Sequence, residues 1–216
     1  MNIILLGSPA SGKGTQAELL AKKFNLFLLQ TGNIAREIAK KEIRIKQIID
    51  SGKLIPEEEM SMYVLDYLIR KKSDLGDILF EGFPRFISQY EALENFLRNK
   101  GDDIDLVLTL DVSKKVAVER ISSRRVCKKC AETYNLVTNP PKSKVCDKCG
   151  GELYLRGDDN KESVAVRFDY YSANTKALID YLDKKGKLVR VNGDRSIEAI
   201  QKDLVRIIKE VRGGQN

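Results

Sequence analysis

Residues 7 to 16 read GSPASGKGTQ, directly after the apolar run Ile3-Ile4-Leu5-Leu6. A short, bounded apolar run is the pattern of a buried strand. From Gly12 the apolar positions Ala17, Leu19, Leu20, Ala21 and Phe24 fall at helical spacing. Gly7 to Lys13 therefore fits G-x-x-x-x-G-K between a strand and a helix, the setting in which that pattern cradles phosphate. Glycines let the backbone curl until successive N–H groups face inward, and the helix start adds its positive end. Lys13 brings a point charge toward the β- and γ-phosphates of a bound nucleotide. The next position is informative. A motor or GTPase loop places Ser or Thr there to hold Mg²⁺; here it is Gly14, and the hydroxyl comes one residue later at Thr15.

Outward from the loop, strands and helices alternate. Ile78 to Phe80, Asp105 to Val112 and Leu188 to Val191 read as further strands. Helical spacing covers Gly32 to Ile49, Pro56 to about Arg70, Ser88 to Asn99, a stretch from Ser113, Lys161 to Lys184, and Ser196 to Val211. Asp159 and Glu162 have the spacing of a capping box before the fifth of these. Such alternation predicts an α/β fold: a phosphate-loop three-layer sandwich with a parallel central sheet covered on both faces. No internal repeat or low-complexity tract interrupts it.

Composition narrows the chemistry. The chain has 216 residues, enough for one sizeable core or a core with inserted pieces. It has no histidine, so the commonest general base is missing. Catalysis near neutral pH must rest on carboxylates, lysine, arginine, cysteine or positioning. The net charge of +7 points either to acidic partners, whether nucleic acid, anionic membrane or phosphorylated metabolites, or to a surface simply solvated by lysine. The Met1-Asn2 start lacks a basic segment leading into a long apolar one, and no stretch approaches the roughly 18 apolar residues of a membrane span. A cytoplasmic protein is expected.

Residues 126 to 160 differ in kind, with four cysteines and no strong period. Cys127, Cys130, Cys146 and Cys149 form C-x₂-C-x₁₅-C-x₂-C, within the range of four-cysteine zinc sites. Two disulfides are the alternative. Four thiolates leave a metal no open position, so the zinc is expected to be structural and to replace a missing core. Arg120 and Arg124 stand four apart, which predicts that they share one helix face. Cations so placed repel unless polyphosphate lies between them and Lys13. The alternative is pairing with Glu119, Asp158 or Asp159.

The loop resembles the G-x-P-x-x-G-K-G-T-Q of the adenylate kinases and related nucleoside monophosphate kinases. The resemblance continues through Thr31-Gly32-Asn33 with Arg36, Gly52 to Ile55, Glu81 to Arg85 with Gln89, then Arg120, Arg124, Arg156, Asp158-Asp159 and Arg167. It implies three parts: a core at 1–29, 56–122 and 161–216, an inserted helical monophosphate-binding segment at 30–55, and a zinc-containing lid at 123–160. It also implies Mg²⁺-dependent transfer of the terminal phosphoryl group of ATP to AMP, giving two ADP. ATP would meet Pro9, Ala10, Ser11, Gly12, Lys13, Gly14 and Thr15, with Arg120, Arg124, Thr133, Tyr134 and Arg195. AMP would meet Thr31, Gly32, Arg36, Lys53, Leu54, Ile55, Gly82, Arg85 and Gln89, with Arg156 and Arg167. Lys13, Arg85, Arg124, Arg156 and Arg167 would act on the moving group, and Asp158 and Asp159 would sit near the lid hinge. Many relatives carry Asp where this chain has Asn33 and Glu81, acids that order water around Mg²⁺. The partners implied are ATP, AMP and ADP, with no nucleic acid and no membrane, and the protein is expected to be a monomer. Two rivals share part of this pattern: a kinase with a UMP, CMP or GMP acceptor, and a zinc-ribbon ATPase stimulated by nucleic acid.

Overall fold

The computed structural model describes residues 1–214, with all their side chains except those of Asp158 and Lys161. The chain runs β1 (Ile3–Gly7), α1 (Lys13–Phe24), β2 (Phe27–Gln30), α2 (Thr31–Ala39), α3 (Ile43–Asp50), α4 (Glu57–Lys71), β3 (Ile78–Glu81), α5 (Ile87–Arg98), β4 (Leu106–Asp111) and α6 (Lys114–Ser122). It continues through β5 (Arg124–Cys127), β6 (Thr133–Asn135), β7 (Leu153–Tyr154), α7 (Lys161–Tyr170), α8 (Lys176–Lys184), β8 (Leu188–Asn192) and α9 (Ile197–Gly213).

Five strands form one parallel sheet in the order β2-β3-β1-β4-β8. β1 is central, with Ile4 opposite Phe80 on one side and Val107 on the other. Successive side chains of a strand point to opposite faces, and β1 shows the result. Ile4 and Leu6 join a core with Phe80, Tyr90, Leu93 and Leu182 beneath α4, α5 and α8. Ile3 and Leu5 join a second core with Leu20, Leu108 and Leu204 beneath α1 and α9. Two covered faces explain why the strands read as unbroken apolar runs. The C-terminal ends of β1 and β3 open onto one crevice, where ligands bind in sheets of this kind.

Three readings change in detail. β2 was not anticipated; it starts only two residues after Asn25 ends α1 in the left-handed region (φ 55), leaving no room for a period to show. The amphipathic stretch 32–49 is two helices, because the N–H groups of Lys41 and Glu42 both turn back to the Ile38 carbonyl. α2 and α3 then bury Ala35 and Ile45 against Ile55 in a small separate core. The stretch 161–184 contains a wide π turn at Tyr171–Thr175 between α7 and α8.

Two expectations fail. α7 is capped by Asn160, whose Oδ1 accepts from the Ser163 N–H at 2.8 Å, and not by Asp159, whose carboxylate is engaged by arginines. Arg124 is not on the face of α6; the helix ends at Ser122, and Arg124 opens β5. β5 pairs antiparallel with β6 and β7 in a small second sheet. Among the described residues, no helix is long and apolar enough to cross a membrane.

Gly52, just past the end of α3, packs against Ser163 in the first turn of α7. Its φ is +75°, and a Cβ there would lie 2.6 Å from the Ser163 carbonyl oxygen. The Ser163 hydroxyl donates to the Asp50 carbonyl at 3.1 Å. Gly52→Ala should therefore cost about 1–3 kcal/mol. Gly101→Ala shares the strained backbone (φ +80) but meets open space, and should cost less. Thermal unfolding of the two variants measures the difference.

Candidate active site

The loop after β1 is built from backbone that most side chains resist. Gly7 (φ 145), Ala10 (φ 58) and Gly12 (φ 91) all have positive φ. A Cβ on Gly7 would lie 2.8 Å from the Leu110 carbonyl oxygen. Pro9, Ala10, Gly12, Lys13, Gly14 and Thr15 are half-buried, and Ser11 is fully buried. The Lys13 ammonium bends back over the loop and donates to the Gly7 and Ser8 carbonyls at 2.9 and 2.8 Å. Burial lowers its pKa to about 8; Glu81 opposes this, while Arg85, Arg167 and Arg124 push the same way as burial.

Those arginines come from different elements. Arg85 follows β3, and its Nε donates to the Gly82 carbonyl at 2.8 Å. Burial disfavours its charge, and Glu81 partly restores it. Arg124 opens β5 and Arg167 lies on α7, yet both reach Asp159, whose side chain is 0% exposed. Arg124 Nε lies 2.7 Å from one carboxylate oxygen and Arg167 lies 3.1 Å from the other. The pairing alternative is thus realised at Asp159, but one carboxylate serves two cations and a positive charge is left over. The Asp158 side chain lies outside the described residues. Arg156 precedes the short 3₁₀ turn Gly157–Asp159.

Arg120 ties the loop to the far edge of the sheet. It donates to the Ser11 carbonyl at 3.4 Å and the Arg195 carbonyl at 3.3 Å. Arg195 thus presents its carbonyl here, while its guanidinium turns to Asp203. On the other side of the crevice, Thr31 is buried and its hydroxyl donates to the Glu81 carbonyl at 3.5 Å. Gly82 (φ 81) lies directly against the Thr31 hydroxyl, with no room for a Cβ. Arg36 donates to Asn33 Oδ1 at 2.7 Å and lies along Gly32. Gln89 is buried and spans two backbone groups, accepting from the Arg85 N–H at 2.9 Å and donating to the Glu57 carbonyl at 3.0 Å. Lys53, Leu54 and Ile55 lead from Gly52 to α4, with Ile55 in the small core of α2 and α3.

The four cysteine sulfurs lie within 4.8 Å of one another. Cys127 and Cys149 are 3.5 Å apart, as are Cys130 and Cys146, and none forms a disulfide.

The family model for adenylate kinase matches residues 5–187. The chain is 42% identical to adenylate kinase of Bacillus licheniformis, covering all of both chains. It is 42% identical to that of a Geobacillus species over 99% of each, and 40% identical to that of Bacillus pumilus over all of both. The chain belongs to the adenylate kinase family. The rivals with another acceptor or with nucleic acid are not favoured by these matches.

An adenylate kinase with this cysteine set can hold a metal. Metal–sulfur bonds of about 2.3 Å in a tetrahedron place sulfurs about 3.8 Å apart, close to the two 3.5 Å separations. Gly151 leaves the space: a Cβ there would lie 2.7 Å from Cys127 Sγ. Burial alone would raise the Cys146 pKa, but the Tyr134 hydroxyl and the N–H groups of Lys148 and Cys149 outweigh it and bring it to about 6. Thr133 is exposed, whereas the Tyr134 ring is buried among the cysteines.

Some participants carried no sequence signal. Glu57 and Gln30 belong to no motif. Only the folded chain brings the Glu57 carbonyl to Gln89, or the Gln30 amide beside Gly14 on α1.

Protein purified under reducing conditions should hold one tightly bound metal ion per chain by elemental analysis. Cys146→Ser should lose that ion and speed amide exchange across 124–154, while the amides of β1 and β4 stay protected.

Proposed function

We propose that this chain catalyses reversible phosphoryl transfer from MgATP to AMP, giving two ADP. One observation carries the reading. Lys13, Arg85, Arg124 and Arg167 come from four separate segments, Arg124 and Arg167 meet on the enclosed Asp159, and all three arginines disfavour charge on the half-buried Lys13 ammonium. Such a cluster is costly unless an anion of high charge draws it together. Phosphoryl transfer needs in-line placement and cations that follow charge from donor to acceptor, with little covalent help. A chain without histidine suits it.

In this reading the loop Pro9–Thr15 holds the donor phosphates, with Arg120 and Arg124 above and Thr133, Tyr134 and the Arg195 turn beside the nucleotide. Arg36, Arg85, Arg156 and Arg167 hold the acceptor phosphate. Thr31, Gly32, Lys53–Ile55, Gly82 and Gln89 surround its base and ribose. An AMP phosphate oxygen is already an adequate nucleophile, so no general base is assigned. Mg²⁺ bound with ATP would neutralise developing charge; Glu81 and Asn33 are the residues of this chain nearest in role to the family's metal-ordering acids. The parts 30–55 and 123–160 serve as acceptor segment and lid on a core of 1–29, 56–122 and 161–216. The lid metal is zinc, structural because four thiolates fill its coordination. The enzyme works as a monomer in the cytoplasm.

A coupled assay tests the assignment. ADP should form from ATP only when a monophosphate is present, with AMP preferred; ATP hydrolysis without acceptor would overturn it. Lys13→Ala should lower turnover by at least about a hundredfold with the fold retained, the scale of losing one transition-state charge contact.

The Lys13 pKa of about 8 makes a second prediction. The ammonium is charged below pH 8 and neutral above it. Affinity for ATP should therefore fall about tenfold between pH 7 and 9. Lys13→Met should bind weakly at both. The sign for stability is opposite. Between pH 8 and the ordinary lysine range the unfolded chain binds the extra proton, so this residue's contribution to folding rises with pH there. Calorimetric titration against pH checks the binding.

A further inference from the structure

The Tyr134 hydroxyl is spent on the cysteines. Tyr134 stands on β6, opposite Arg125 of β5. Its side chain is buried with Cys127 and Cys146, and Leu153 packs against them. The hydroxyl oxygen accepts from the Asp147 N–H at 2.8 Å and lies 3.4 Å from Cys146 Sγ. Asp147 sits inside the second cysteine pair, between Cys146 and Cys149. One phenol therefore meets both the backbone of that turn and its first sulfur.

Chemistry fixes the direction of the contact. A phenol has a single proton to give. Its oxygen already accepts from Asp147, so that proton is left for the sulfur. A metal-bound thiolate carries no proton and only accepts. Four thiolates on one divalent ion leave an excess of negative charge, and hydrogen bonds to sulfur disperse it. The first cysteine pair has a backbone donor, since the Lys129 N–H reaches Cys127 Sγ at 3.4 Å. Two lysine side chains of these turns, Lys128 and Lys148, pair instead with Glu152 and Glu132 at 2.8 and 3.0 Å. At Cys146 the side-chain donor is the phenol.

We propose that Tyr134 is a positioning residue for the lid metal: its hydroxyl donates to the Cys146 thiolate and holds the second cysteine pair on β6. The proposal rests on reading the four cysteines as a zinc site. It gives the ring a partner other than the donor nucleotide. It also reaches toward the crevice, because β6 pairs with β5, whose first residue Arg124 binds Asp159. The phenol is thus a second tie, besides the metal itself, between the second cysteine pair and the strands that carry Arg124.

Metal affinity tests it, measured on the whole purified chain with Zn²⁺ in competition with a chromophoric chelator. Tyr134→Phe keeps the ring and deletes the hydroxyl. It should weaken Zn²⁺ binding by about tenfold to a hundredfold, the range for losing a group that orients a metal ligand. A ring that only fills space predicts no change. Cobalt spectra read the sulfur directly. A hydrogen bond lowers the energy of the sulfur lone pairs. Its loss should therefore move the sulfur-to-cobalt charge-transfer band of the Co²⁺-loaded chain to longer wavelength. 3-Fluorotyrosine in place of Tyr134 has nearly the same shape and is a stronger donor, and should move the band to shorter wavelength. Unchanged Zn²⁺ affinity in Tyr134→Phe, or a band that the fluorinated ring leaves in place, overturns the proposal. A wild-type chain that binds neither ion rejects the zinc reading, and the proposal with it.

Discussion

Holding several like charges around a half-buried lysine is the constraint on which the rest of this structure depends. Positive groups so placed repel, and desolvation makes each of them worse off. The fold answers with two carboxylates. Asp159 is fully enclosed and binds both Arg124 and Arg167. Glu81, at the end of β3, acts in favour of charge on both Lys13 and Arg85. Neither acid neutralises the crevice. Together they keep it habitable for cations while leaving an excess that suits phosphate.

The scaffold distributes these charges so that no single element carries them. Lys13 starts α1, Arg85 follows β3, Arg120 ends α6, Arg124 opens the small sheet and Arg167 rides on α7. The parallel sheet makes this workable because β1 and β3 end on one edge. Its core is conventional, with apolar strands covered on both faces. The polar stretch around the cysteines has only a small cluster of its own. The four thiols are gathered where hydrophobic burial is thinnest.

Much of this was legible in the residues. The loop from Gly7 to Lys13 and the apolar run before it specify strand, turn and helix together, because three levels of pattern agree there. The cysteine spacing was equally plain. Partnerships between distant side chains were legible only as alternatives: Asp159 could cap a helix or pair with an arginine, and tertiary contact decides which. Asp159 has the spacing of a helix cap, yet tertiary contact with two arginines outweighs a local bond, and Asn160 caps instead. Arg124 reads as helical by spacing from Arg120, but the helix ends two residues earlier. Gln30 belongs to no pattern; its neighbours are decided by how α1, β2 and α2 meet.

The wide turn at Tyr171–Thr175 has a geometric consequence. Each residue of a regular helix advances the azimuth by about 100°. One extra residue in a turn therefore resets the angular phase between the segments on either side. α8 aims Leu178, Ile179 and Leu182 into the core, while Arg167 on α7 faces the crevice. A straight helix of the same sequence would set one of those two faces wrongly. The bulge is the phase correction that lets a nearly continuous rod serve an oily wall at one end and an ionic one at the other.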